Sequence, residues 1–148
     1  MSVFGPTRDI VVVGYDSSEL EDILAEKAAE QGRVVAPEPH PERGGYYRSD
    51  HFNFAKRGVP MLYAKSGLEH RELGRDYMEA RSREYTERRY HQPEDEVRED
   101  WDLRGTMEDI QLYFEVGLQV ANSEAWPQWY DGHEFKAIRE ASRQNAGD

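Results

Sequence analysis

The chain has 148 residues, of which 37% are hydrophobic and 33% charged. That fits one folded domain with a polar surface and leaves little room for two. Asp and Glu outnumber Lys and Arg by 30 to 19, a net charge of −11, so nucleic acid and anionic membranes are excluded as expected partners. There is no cysteine, which removes disulfides and thiolate chemistry and leaves His, Asp and Glu to hold any metal.

The N-terminus reads MSVFGPTRD, without the basic and apolar regions of a signal peptide. The longest apolar run, Ile10 to Val13, is strand-sized and far short of a membrane span. Asp9 to Tyr15 (DIVVVGY) predicts a strand buried on both faces, as in a parallel sheet covered by helices. Ser18 with Glu21 fits a capping box, as does Asp16 with Glu19 more loosely. Leu20, Ile23, Leu24 and Ala28 then share one helical face, and Gly32 stops the helix. Arg33 to Ala36 predicts a second strand, so residues 9–36 form one strand–helix–strand unit of an α/β fold.

The alternating prolines Pro37, Pro39 and Pro41 predict an extended loop closed by Gly44 and Gly45. A short helical turn over His51 to Arg57 ends at Gly58, and Val59 to Lys65 predicts a third strand, with Pro60 near its start fitting an edge or a strand-entry position. From Ser66 to Asp100 apolar periodicity is lost, with sparse anchors at Leu68, Leu73, Tyr77 and Met78. Leu103, Met107, Ile110, Phe114, Leu118 and Ala121 then step at helical intervals and predict an amphipathic helix of about five turns. Residues 124–148 form a peripheral aromatic and polar tail, with Trp126, Trp129 and Tyr130 and a polar helix from Glu134. There is no HExxH, no phosphate-binding glycine loop and no nucleophile elbow.

Five histidines remain: His40, His51, His70, His91 and His133. His51, in Arg48-Ser49-Asp50-His51-Phe52, fits either a pocket wall or a buried hydrogen-bonded position, and Asp50 fits a helix N-cap. His91 lies between Tyr90 and the acidic run Glu94-Asp95-Glu96. Imidazole near carboxylates is the donor set of an N/O zinc site, although the residues alone also describe an exposed loop histidine.

Three stretches resemble the C-terminal part of the dizinc exopeptidases of metallopeptidase family twenty-eight. They are GYYRSDHFNFAKRGVPMLYAKSG (Gly45 to Gly67), EYTERRYHQPEDE (Glu84 to Glu96) and WDLRGTMEDIQLYFEVGLQVAN. The family includes bacterial leucyl-aminopeptidase-like enzymes, with glutamate carboxypeptidase and glutaminyl cyclase as relatives. FGPTRDIVVVGYDSSELEDILAE is similar to the strand and helix that precede these stretches. The resemblance implies a partial exopeptidase α/β sheet of about three strands flanked by helices. It implies that His91, with Asp95 after it, is the last zinc ligand, and that Asp50 and His51 line the substrate pocket, with Arg48 and Tyr47 beside them.

The family site also needs an H-x-D histidine, a bridging aspartate, a Glu-Glu pair and a further aspartate, all upstream of the segment resembling Phe4–Asp9. Neither H-x-D nor Glu-Glu occurs in these residues. The expectation is therefore a single domain over 1–148 that is the C-terminal portion of a zinc-dependent aminopeptidase. Peptide substrate and two zinc ions belong to the intact site, and the chain alone is inactive, with weak zinc binding or none. The alternative is a non-catalytic interaction module on the same scaffold. A cut sheet exposes an edge, so a homo-oligomer or a complementary N-terminal fragment is expected to cover it. The family is often exported, and the residues here carry no export signal.

Overall fold

The computed structural model describes residues 3–144; the last four residues of the tail lie outside them. Its centre is strand β1, Asp9–Val13, whose five residues are all buried. β1 pairs in parallel with β2, Val34–Pro37, with Ile10 level with Val35. On its other side it pairs with β3, Tyr63–Ser66, with Val12 level with Ala64. The sheet order is β2-β1-β3, and helices flank it. The architecture is mixed α/β, as the strand–helix–strand pattern requires.

The sheet is not purely parallel, because β3 runs antiparallel to β1. The connection explains the difference. After β2 the chain stays at the C-terminal end of β1, where the Tyr46 ring closes on Gly14. β3 therefore starts beside Val13 and runs back along the strand. Gly14 has φ +74°, and a Cβ there would lie 2.3 Å from the Tyr46 ring, so only glycine fits.

Alternation along β1 builds two cores. Ile10 and Val12 pack with Leu24 and Ala28 of α1 (Leu20–Glu30) and with Leu112 and Val116 of α4 (Arg104–Asn122). Val13 packs on the opposite side with Tyr46, with Ala55 of the short helix α2 (His51–Ala55), and with Trp129 and Phe135 from the tail. Helix α5, Lys136–Gln144, follows. The Trp129 indole N–H donates to the Gly58 carbonyl at 3.0 Å, which ties the tail to the end of α2.

The capping box at α1 forms in shifted register. Glu21 does not pair with Ser18 but turns its carboxylate back to accept from the Ser17 N–H at 2.7 Å and the Asp16 N–H at 2.8 Å. The left-handed backbone at Asp16, φ +65°, points those two donors at one carboxylate. Gly32 ends the unit at φ +68°.

The stretch after Ser66 holds α3, Gly74–Arg88, a fifteen-residue helix without an apolar stripe. Only Met78 is buried in it. Good helix formers and surface ion pairs such as Arg81–Asp100 at 2.9 Å accompany it. The Phe4 ring meets Tyr85 edge-on at 6.4 Å and lies under the Arg81 guanidinium at 5.0 Å. This fastens the N-terminal segment to α3.

α4 forms where its periodicity predicts, but with the opposite orientation. Gly105, Asp109, Leu112 and Val116 face the core, while Leu103, Met107, Ile110, Phe114 and Leu118 are exposed. The inward face is marked by a charged group. Arg33 and Asp109 are 2% and 1% exposed and pair at 2.8 Å. Arg33 also donates to the Asp9 carbonyl at 2.9 Å and the Thr7 hydroxyl at 3.1 Å, and the Ser66 hydroxyl donates to Asp109. One ion pair thus joins all three strands to α4. Among the described residues, no helix is long and apolar enough to cross a membrane.

Candidate functional site

The 3-10 turn Tyr46–Arg48 and helix α2 carry Tyr47, Arg48, Asp50 and His51 on one short segment. Its anchor is Tyr46, 8% exposed. Burial pushes the Tyr46 phenol up to about 12, so it is a neutral hydroxyl at pH 7, and its oxygen has no hydrogen-bond partner.

His51 is half-buried between Tyr46, at 4.8 Å between ring centroids, and Tyr63 of β3, at 4.9 Å. Its Nε2 is buried and without a partner. Burial holds this imidazole below the usual range; Asp50 opposes the shift and Lys65 adds to it. His51 is therefore a neutral side chain at pH 7 that keeps a polar atom uncommitted.

Tyr47 stands outside this layer, 57% exposed and edge-on to both Tyr46 and Phe52. Arg48 is exposed, and its guanidinium donates to the Arg43 carbonyl at 2.5 Å, bracing the loop. Asp50 occupies the N-cap position of α2 without a side-chain capping bond, which leaves its carboxylate at the surface.

His91 lies in the turn after α3, exposed and in the left-handed region at φ +60°. A non-glycine residue there is held by its surroundings. Tyr90 stacks on the imidazole, with centroids 3.9 Å apart and planes 26° apart. Asp95 accepts from the Tyr85 hydroxyl at 2.9 Å, a bond that raises the Tyr85 phenol above its ordinary value.

None of Tyr47, Arg48, Asp50, His51 and His91 lines the concavity beside β3. A cavity of about 550 Å³ opens along β3, lined by Tyr63, Lys65, Ser66, Tyr85, Asp95 and Trp101. Tyr63 of its lining touches His51, and Asp95 of its lining lies four residues after His91. Lys65 lies over the Tyr63 ring at 4.8 Å. The residue reading missed Tyr46, Tyr63 and Tyr85. Tyr63 and Lys65 had a signal, since positions two apart on a strand share a face. Tyr85 had none, because nothing in its helix distinguishes it.

Among the described residues, no three His, Asp or Glu side chains come together in a way that could hold a metal. His91 offers one imidazole, and Asp95 is engaged with Tyr85. A four-coordinate ion needs at least three protein donors. The groups present do not fit a zinc ion by themselves.

The family description Peptidase family M28 matches residues 1–115, and the chain belongs to that family. Family members are in general zinc-dependent hydrolases. Neither the curated proteins nor the solved structures gave a significant match.

Proposed function

We propose that residues 1–148 form one wall of a zinc aminopeptidase site whose remaining ligands and general base lie outside them. In this reading His91 is a zinc ligand, with Asp95 behind it. Tyr47, Arg48, Asp50 and His51 form the substrate pocket, and the substrate is a peptide with a free N-terminus. The observation that supports the reading is the match of the family description to residues 1–115, which span both the His51 and the His91 segments. Hydrolysis also needs a base that takes a proton from water and returns it to the leaving amine. No Glu-Glu pair exists here to supply it.

Two measurements test the reading. The pure chain with added zinc should not hydrolyse aminoacyl anilides, and titration with zinc chloride should show binding weaker than micromolar that is lost in His91→Ala. Co-expression with an upstream family segment bearing H-x-D and Glu-Glu should yield zinc-dependent hydrolysis that His91→Ala abolishes. Turnover by the chain alone, stoichiometric zinc retained through dialysis, or a reconstituted activity indifferent to His91 would each refute it.

A further inference from the structure

A very short helix does not hold itself together, because closing the first turn costs more than its few hydrogen bonds contribute. Helix α2 has five residues, its N-cap Asp50 makes no side-chain capping bond, and Ala55 is its only buried residue. Yet α2 and the turn before it carry all four candidate pocket residues, Tyr47, Arg48, Asp50 and His51. Their order has to come from what packs around them. The sheet supplies part of it, through Val13 of β1 and Tyr63 of β3. The rest comes from the tail after α4. That tail lies beyond residue 115, where the family match ends, so its role has to be read from its own contacts.

The tail is fixed at two points. Gln128–Tyr130 runs antiparallel beside Ser17–Glu19: the Glu19 N–H donates to the Gln128 carbonyl at 3.0 Å, and the Tyr130 N–H donates to the Ser17 carbonyl at 2.9 Å. Further on, the Arg139 backbone comes so close to Gly58 that a Cβ there would lie 2.6 Å from the Arg139 nitrogen. Between these points Trp129, 1% exposed, donates its indole N–H to the Gly58 carbonyl and stacks on His133, with centroids 4.2 Å and planes 6° apart. From Trp129 a line of rings runs to the candidate pocket. Phe135 lies at 5.8 Å, Phe52 of α2 a further 5.8 Å on, Tyr46 5.9 Å beyond it, and His51 4.8 Å from Tyr46. Rings at these separations are packed partners, and a close-packed interior transmits a displacement instead of absorbing it.

We infer that the tail is a clasp that positions the candidate pocket, with Trp129 as its positioning residue, acting on His51 through Phe135, Phe52 and Tyr46. Three rings separate Trp129 from His51, so its effect is on where the segment sits. That this segment binds substrate rests on the reading above; the clasp does not.

The His51 titration, followed by NMR at the imidazole protons and assigned with His51→Gln, reads the position of the segment. Burial is the largest cause holding this imidazole below 6.5, with Asp50 opposing and Lys65 adding to the shift. Opening the clasp admits water to the ring. Trp129→Ala should therefore move the His51 midpoint up toward 6.5, and Phe135→Leu should move it in the same direction. Trp129→Phe keeps a ring and loses only the indole N–H, so it should stay near wild type. Leu112→Ala, in the core on the other face of the sheet, controls for loosening of the whole chain. It should lower the urea midpoint and leave His51 unmoved. Where Trp129→Ala does not fold, Phe135→Leu decides. An unmoved His51 in Phe135→Leu, or a rise of the same size in Leu112→Ala, would overturn the clasp. In the reconstituted enzyme, Trp129→Ala should raise KM for an aminoacyl anilide more than it lowers kcat. A moved His51 with unchanged kinetics would uphold the clasp and refute the pocket assignment instead.

Discussion

Asp109 sits on the buried face of a helix and holds Arg33 at 2.8 Å, with both side chains 1% exposed. Removal of one partner leaves the other charge buried and uncompensated, a loss of about 3–5 kcal/mol. Asp109→Ala should therefore lower the urea midpoint far more than Glu115→Ala on the same helix; equal midpoints would mean that the pair does not hold the strands to α4. A second residue-scale effect concerns the two half-buried histidines. Burial lowers both His51 and His133 below the ordinary 6.5. The unfolded chain thus takes up protons that the folded chain refuses, and stability rises with pH in that window. The contribution is present above about pH 6.5 and is lost as pH falls through the lower folded values. Urea midpoints should drop between pH 7.5 and 5.5, and the drop should shrink in His51→Gln. A drop of the same size in that variant would assign the titration to other groups.

Among the elements, α4 separates periodicity from burial. Its apolar spacing predicts a helix and one forms, but the larger side chains face out and the smaller inward set, Gly105 and Leu112 among them, makes the core. Gly105 lies close under the Gly5 carbonyl, 2.2 Å from where a Cβ would be, so the inner face is narrow because the N-terminal segment passes against it. Leu112→Ala should cost about 2–5 kcal/mol by opening a cavity. Phe114→Ala, measured below the concentration of any self-association, should stay within about 0.5 kcal/mol of wild type. Denaturant titration of both variants checks the assignment, and the reverse order would place the core on the other face. In α3 the reason for low legibility is different. With Met78 its only buried residue, the helix has no hydrophobic period to detect, and what fastens it is the Phe4 ring against Tyr85 and Arg81.

For the whole molecule, the open edge of β3 and the outward stripe of α4 are two distinct unsatisfied surfaces. Extension of the sheet would satisfy the first. If the β3 edge accepts another strand, the amide protons of Tyr63–Ser66 should become protected from hydrogen exchange when an upstream family segment is bound, while those of β2 stay unchanged. Protection confined to β2 would place the docking edge on the wrong side of the sheet.

The residues by themselves determined the strand–helix–strand unit, because unbroken β-branched runs and a glycine stop are local signals. They also determined the stretches that resemble a peptidase, since those are spelled out in order. Histidine and aspartate positions were legible as residue types, but not their surroundings. Whether Asp50 caps α2, whether Glu21 caps its own helix or the turn before it, and which ring lies against His51 depend on where distant backbone donors and side chains arrive. Tertiary structure alone decided the antiparallel entry of β3 and the face of α4 that is buried. Both are set by contacts across long sequence separations: Tyr46 on Gly14, and Arg33 and Ser66 on Asp109. Periodicity describes one helix or strand, whereas burial is settled between elements, by the buried charge that must find its partner and the backbone that must fit beneath it.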